Sequence, residues 1–242
     1  MTGPVLLLHG FTSGPFAFEF LIPRLRKEGI EPEVPLLRGH GQGSWRKLAG
    51  FTWSDWLFDA GAALERVGPR GPVTIVGHSM GGLLALNLAA DHPDRVGMLI
   101  LAGAAILPAT PFAPGRPLGF LRPLMAGLFR SWDMTPFYSD KSMLISDLNY
   151  RRAPMESISS FMDLVIETRR RLHLVTSPAL ILQGTGDRRV HWKSAEVILD
   201  GISTRADMKR VVFFQRTDHE MFRDCEREAV IQTVMDHLEG PG

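Results

Sequence analysis

Positions 73 to 91 constrain this chain more than any other stretch. Val73-Thr74-Ile75-Val76 is a short β-rich run, Gly77-His78-Ser79-Met80-Gly81-Gly82 reads as a turn, and Leu83 to Asp91 is an apolar, alanine-rich helix stopped near Pro93. A serine set directly between strand and helix, with glycine two residues to either side, is the sequence form of a nucleophile elbow. The turn forces Ser79 into a strained backbone conformation so that its hydroxyl projects above the sheet. Side chains at positions 77 and 81 would collide with neighbouring backbone. The helix that follows favours a negative charge developing beside the serine.

The same alternation extends through the chain and predicts a mostly parallel sheet of about six strands with helices on both faces. The strands are expected at Val5–Leu8, Glu33–Leu36, Val73–Val76, Val96–Leu101, Ala179–Gln183 and Val211–Phe214. Helices are expected from Phe16 to Glu28, from Trp53 to Val67 with Thr52 or Ser54 as cap, from Leu83 to Asp91, from Ser194 to Leu199, and from Cys225 to Leu238. From Gly103 to Thr168 the alternation fails and proline, glycine, methionine and aromatic residues become dense. This segment is expected to be a cap inserted above a core made of 1–102 and 169–242. With 242 residues, 45% of them hydrophobic, one large core with an insertion suffices.

A serine nucleophile needs a base and an acid, and with an elbow of this kind they follow in the order Ser, Asp or Glu, His. His219 lies on the loop just beyond the last expected strand, where it can reach the sheet edge above Ser79. His92, His173 and His237 fall at or within helices or at the rejoining of the insertion, and of the remaining pair, His191 and His219, only His219 lies just beyond the last expected strand. For the acid, Asp187 follows its strand after Gly184-Thr185-Gly186, whereas Asp163, Asp200 and Asp207 fall in helices or the connections after them. His219 would take the Ser79 proton at neutral pH, and Asp187 would fix the imidazole tautomer. The backbone N–H groups of Met80 and of Phe11, in the loop His9-Gly10-Phe11 after the first strand, are the expected oxyanion donors.

With these residues in place the chain resembles the α/β-hydrolase family, and within it the small bacterial monoacylglycerol lipases and short-chain carboxylesterases. Leu8-His9-Gly10-Phe11-Thr12 resembles their oxyanion loop, Leu37-Arg38-Gly39-His40-Gly41 with Asp55-Trp56 the next loop and helix, Gly77 to Gly82 the elbow, Pro178–Ile181 leading to Asp187 and Val190 the acid segment, and Asp218-His219 the base. His191 and Asp218 depart from the common pattern, and a carboxylate at Asp218 would be expected to raise the pKa of His219. The resemblance implies a small cap, an acyl-ester substrate and no cofactor.

Other classes are weighed by the same residues. Thioesterases, carbon–carbon bond hydrolases and perhydrolases also use a serine triad, and a catalytically silent binding protein shares the fold. Haloalkane dehalogenases place a carboxylate at the elbow, which Ser79 argues against. His219-Glu220 opens an H-E-x-x pattern, but Arg223 stands where a second metal-binding histidine would be needed, so no metal is expected. A net charge of +1 offers no field for nucleic acid or anionic membranes, and Arg169-Arg170-Arg171 reads as a solvated helix face. The single Cys225 excludes an internal disulfide. The expected partner is a small ester, with Met125, Leu128, Phe129, Trp132, Met134 and Phe137 as an apolar acyl pocket. The apolar cap also offers a surface for homodimers. No signal peptide or bilayer span is read in the chain, and a cytoplasmic location is expected.

Overall fold

The structure is a computed structural model that describes residues 3–41 and 43–239. Five parallel strands form the central sheet: β1 (Val5–Leu8), β2 (Val73–His78), β3 (Val96–Ala102), β6 (Ala179–Gly184) and β7 (Lys209–Phe214), in that spatial order. Between β3 and β6 the chain makes a separate antiparallel pair, β4 (Ser131–Asp133) with β5 (Arg152–Pro154). The run expected as a strand at Glu33–Leu36 makes only one bridge, to Leu6 of β1. Glu33 donates to Val5 O at 2.9 Å and accepts from Leu7 N at 2.8 Å, but the next donor along would be Pro35, which has no N–H.

Strand periodicity sorts the core into two layers. Leu6 and Leu8 of β1, Ile75 of β2, Leu99 and Leu101 of β3 and Ile181 of β6 face one side. There they pack on α2 (Trp53–Val67), α3 (Met80–Asp91), α5 (Met155–Arg171) and α6 (Ser194–Gly201). Val5, Leu7, Val76, Ile100, Leu180 and Leu182 face the other side, against α1 (Leu21–Lys27) and α7 (Arg227–Glu239). Each such side chain fully removed from water contributes roughly 1.5–3 kcal/mol. The α3 helix is buried at every residue from Met80 to Ala89, so its stability comes from packing between sheet and outer helices. Thr52 is the cap of α2, and the Asp55 carboxylate accepts the Thr52 N–H at 2.9 Å.

The stretch from Gly103 to α5 contains the β4–β5 pair, the short helix α4 (Arg122–Leu128) and single turns. Thr168, where the insertion was expected to end, lies inside α5, and its hydroxyl accepts from Asn87 Nδ2 of α3 at 2.7 Å. Among the described residues no helix is long and apolar enough to cross a membrane.

Candidate active site

All the chain segments expected to carry chemistry leave the sheet at the carboxyl ends of parallel strands, where βα connections converge. Phe11 follows β1, Ser79 follows β2, Asp187 follows β6 and His219 follows β7. Ser79 has φ 55° and ψ −114°, a region that non-glycine residues rarely occupy. Its N–H donates to Ala102 O at 3.0 Å, so the strained turn is pinned to the neighbouring strand. The close approach of backbone at the elbow is tightest at two positions. A Cβ at Gly77 would lie 2.5 Å from Gly81 O, and one at Gly81 would lie 1.9 Å from Leu8 O.

The structure brings Ser79, His219 and Asp187 into one line. His219 Nε2 is 2.8 Å from Ser79 Oγ, and His219 Nδ1 is 2.9 Å from Asp187 Oδ2. Asp187 Oδ1 accepts the N–H groups of Arg189 at 2.8 Å and Val190 at 2.9 Å. Burial works to raise the Asp187 carboxyl, yet the His219 charge and hydrogen bond and these two amides together hold it below the usual carboxylate range. Asp187 is therefore an ionised acceptor. That places the His219 proton on Nδ1 and leaves Nε2 free to accept the Ser79 O–H. His219 itself is lowered by burial but raised more by Asp187 and Glu220, with a net upward shift.

His78, one step before the serine, has a bracing role. Its Nε2–H donates to the His219 carbonyl at 2.9 Å, and burial pushes its pKa down to about 3, so it stays neutral and keeps that bond. The first oxyanion donor position, Met80 N–H, opens α3 and has no carbonyl of its own helix to bond. The Phe11 N–H has no acceptor among the described residues. Phe11 sits on a loop held by His9, whose Nδ1–H donates to Gly10 O at 3.0 Å and whose Nε2 accepts Leu37 N–H at 3.2 Å. The Phe11 ring stacks on Phe161 of α5 at 5.3 Å.

Ser79 opens into a cavity of about 170 Å³. Its walls include Phe112, Met125, Trp132, Met134, Ile158 and Met162 from the segment between β3 and β6. Of the six side chains expected to make an apolar pocket, Met125, Trp132 and Met134 do line it. Leu128 and Phe129 are exposed, and the Phe137 ring lies under the guanidinium groups of Arg188 and Arg189.

Asp218 does not act on the base as expected. Its Oδ1 accepts the N–H groups of Arg188 and His219, and its Oδ2 pairs with Arg188 Nε at 2.6 Å. The acidic neighbour that raises His219 alongside Asp187 is Glu220, which lines the cavity and which sequence reasoning weighed only as part of a metal pattern. His191 lies away from the cavity of Ser79, stacked on Trp192. Among the described residues no group of three or more His, Cys, Asp or Glu could hold a metal ion.

The loop after His219 is tied to the segment between β3 and β6. Asp224 accepts the N–H groups of Ser139 and Asp140 and also that of Asp218, at 2.7–2.9 Å. The buried Arg223 bonds Tyr138 Oη at 2.8 Å and Asp147 Oδ1 at 3.2 Å.

The model of the family described as serine aminopeptidase, S33, matches residues 1–226. The chain is 28% identical to the thermostable monoacylglycerol lipase of Bacillus sp. (strain H-257) over 97% of its length and 90% of that protein's. It is 24% identical to a carboxylesterase of Bacillus subtilis (strain 168) over 97% of its length and 92% of that protein's. Among solved structures it superposes on one from work on LipS and LipT, two metagenome-derived lipolytic enzymes. The TM-score is 0.87 at 23% identity, covering all of this chain and 97% of that one.

Proposed function

The chain belongs to the serine aminopeptidase S33 family of α/β-hydrolase fold, and from that membership we propose that it is a serine carboxylesterase or monoacylglycerol lipase. Its substrates are short- to medium-chain acyl esters or monoacylglycerols, cleaved through an acyl-serine intermediate. The observation that carries this reading is the unbroken hydrogen-bonded line from Asp187 through His219 to Ser79, ending at the mouth of an apolar cavity. Similarity to a monoacylglycerol lipase and a carboxylesterase supports ester chemistry.

In this reading Ser79 Oγ attacks the ester carbonyl as His219 Nε2 takes its proton. The tetrahedral oxyanion is held by the N–H groups of Phe11 and Met80, fixed in place before reaction by α3 and the His9 loop. Collapse expels the alcohol, which takes the proton from His219 Nε2, and leaves the acyl group on Ser79. Water then repeats the sequence and frees the acid. Asp187 stays ionised throughout and stabilises the imidazolium. Residues 103–168 act as the cap, supplying the apolar wall against which the acyl chain lies.

The test is hydrolysis of p-nitrophenyl esters from acetate to palmitate, and of monoacylglycerols, by wild type and Ser79→Ala. Loss of turnover in the variant supports the serine mechanism, and the chain-length optimum defines the substrate. No turnover of any ester by the folded wild type would overturn the reading. Peptide cleavage is the second reading, since Glu220 in the cavity could accept a substrate ammonium. Arg189 lines the same cavity and its charge already acts on Glu220, which weakens that carboxylate as a partner for a second cation. Aminoacyl p-nitroanilides in the same assay decide between the two.

A further inference from the structure

A second cavity, of about 440 Å³, lies apart from that of Ser79. The segment 107–116 borders both. Pro108, Ala109 and Phe112 line the first, and Leu107, Pro114 and Arg116 line the second. The facing wall is His191-Trp192-Lys193, held alongside by Ala109 N–H to Arg189 O at 2.7 Å and by His191 N–H to Leu107 O at 2.9 Å. Arg169, near the end of α5, completes the lining. Its Nε and Nη2 donate to Ile106 O at 2.9 and 2.6 Å, and its Nη1 to Pro114 O at 2.8 Å. The arginine run expected as a solvated helix face is therefore split, with Arg169 turned inward and Arg170 left exposed.

Every polar side chain on these walls can donate a hydrogen bond, and no Asp or Glu is among them. The Arg116 side chain makes no hydrogen bond or ion pair among the described residues, and none of its nitrogens is sealed from solvent. Lys193 is exposed, with its ammonium 5.6 Å from the centre of the Trp192 ring. His191 accepts the Lys193 N–H at Nδ1, 3.2 Å away, so its proton sits on Nε2, which is also open to solvent.

Three cations thus surround one space with no carboxylate to offset them. The bonds from Arg169 to carbonyl oxygens fix its charge in place without neutralising it. Burial and, after it, the charge of Arg116 push the Arg169 guanidinium below its usual range. An anion between the two would turn that repulsion into attraction. Short basic runs are usually solvated faces. Here the charges line a hollow with Leu107, Pro114 and Trp192, and its volume falls in the range of about 300–1,000 Å³ typical of small-molecule sites.

The donors come from three separate parts of the chain, which suits an anion with oxygens on several sides. A phosphate group offers three strong acceptor oxygens and, above its second pKa of about 6, nearly two negative charges. A carboxylate offers one charge and two oxygens in a plane. We infer that this cavity binds the dianionic phosphate group of a small molecule, gripped by Arg116 and Lys193 with Arg169 as the fixed charge beside them. His191, which departs from the common family pattern, adds its Nε2–H. The inference stands apart from the ester-hydrolase reading, since neither an ester nor turnover enters its test.

The experiment is calorimetric titration of the full chain with inorganic phosphate and, separately, with phenyl phosphate. It is run at about pH 8, where both are dianions, and in about 0.1 M KCl, which screens loose surface attraction. A Kd on the order of 1 mM or tighter is expected for at least one probe. Phenyl phosphate binding at least threefold more tightly than phosphate assigns the site to an organic monoester, whose body lies on Leu107, Pro114 and Trp192. Equal affinities assign it to free phosphate, and either result supports the inference.

Arg116→Gln is expected to weaken binding about tenfold or more, the loss of a charge-assisted pair. Lys193→Gln is expected to weaken it by at least threefold, and Arg116→Lys to recover part of the loss. Arg170→Ala, which removes an exposed charge beside Arg169 but outside the cavity, leaves affinity within twofold. The Arg116 and Lys193 side chains have no hydrogen-bond or ion-pair partner to lose, so these variants keep their fold, which thermal unfolding verifies. No binding of either probe by the wild type overturns the inference. So does binding that stays within twofold in both Arg116→Gln and Lys193→Gln, because the phosphate then sits elsewhere.

Discussion

Replacing Gly81 with alanine tests whether the elbow and the oxyanion loop form one rigid unit. The added Cβ would sit 1.9 Å from Leu8 O, 2.5 Å from Leu8 C and 2.9 Å from His9 O, where ordinary contact begins at 3.4 Å. Every atom it meets is backbone at the end of β1, so no side chain can swing aside. Relief requires α3 and β1 to part by about 1.5 Å, and misplacement of about 1 Å at a reacting centre costs on the order of 10²-fold. The strain also destabilises the fold, by about 3 kcal/mol at the upper end of ordinary overpacking. For a domain of this size that is a fall in Tm of roughly 6–12 °C. The shift separates Met80 N–H from Phe11 N–H, so the loss falls on kcat more than on KM. The control is Gly61→Ala in α2, whose Cβ would meet nothing nearer than Leu88 Cδ2 at 3.8 Å. Steady-state ester hydrolysis and thermal unfolding read both effects. A Gly81→Ala enzyme with kcat within about threefold of wild type and a Tm within about 2 °C, roughly the scatter of mutations without strain, would refute the reasoning.

Four further outcomes follow from the hydrogen bonds and charges around Ser79, His219 and Asp187. In Asp187→Asn the amides of Arg189 and Val190 keep the side-chain oxygen, so the new NH2 faces His219 Nδ1 and drives the proton to Nε2. The expected loss in kcat/KM is about 10⁴-fold, and a loss below tenfold in steady-state kinetics would contradict the tautomer assignment. Wild-type kcat/KM is expected to rise with pH, because only neutral His219 can take the Ser79 proton and its pKa lies above 6.5. A pH–rate profile of Glu220→Gln should show that inflection moved down, since one of the carboxylates raising His219 is gone. Asp218→Ser, which removes a carboxylate already held by Arg188, should leave the inflection in place and lower Tm.

The sheet and the convergence of Ser79, His219 and Asp187 were legible in the sequence for a definite reason. Each of the three residues follows the carboxyl end of a parallel strand, and Gly77 and Gly81 are required by backbone packing that no other residue can satisfy. The second expected strand failed at Pro35, where a missing N–H outweighed an extended, apolar pattern. The end expected for the insertion fell inside α5 because that helix is amphipathic throughout and gives no sign of where one side of its packing changes. Glu220 was passed over as part of a failed metal motif. Nothing in a sequence tells an exposed loop glutamate from one buried against a cavity, since the difference lies in Tyr138 and Asp147, which reach it from a distant part of the chain.

The seam formed by Arg223 and Asp224 couples two properties that an engineer would prefer to adjust separately. The carboxylate that holds the loop of His219 also grips Ser139 and Asp140, and its neighbour clamps Tyr138 and Asp147. The stretch 138–147 therefore cannot swing outward alone. It either stays shut or tugs the imidazole off line as it goes. Bulky substrates forced past this side would meet a poorly aligned base, so random libraries aimed at admitting them should find their gains around Met125, away from this seam.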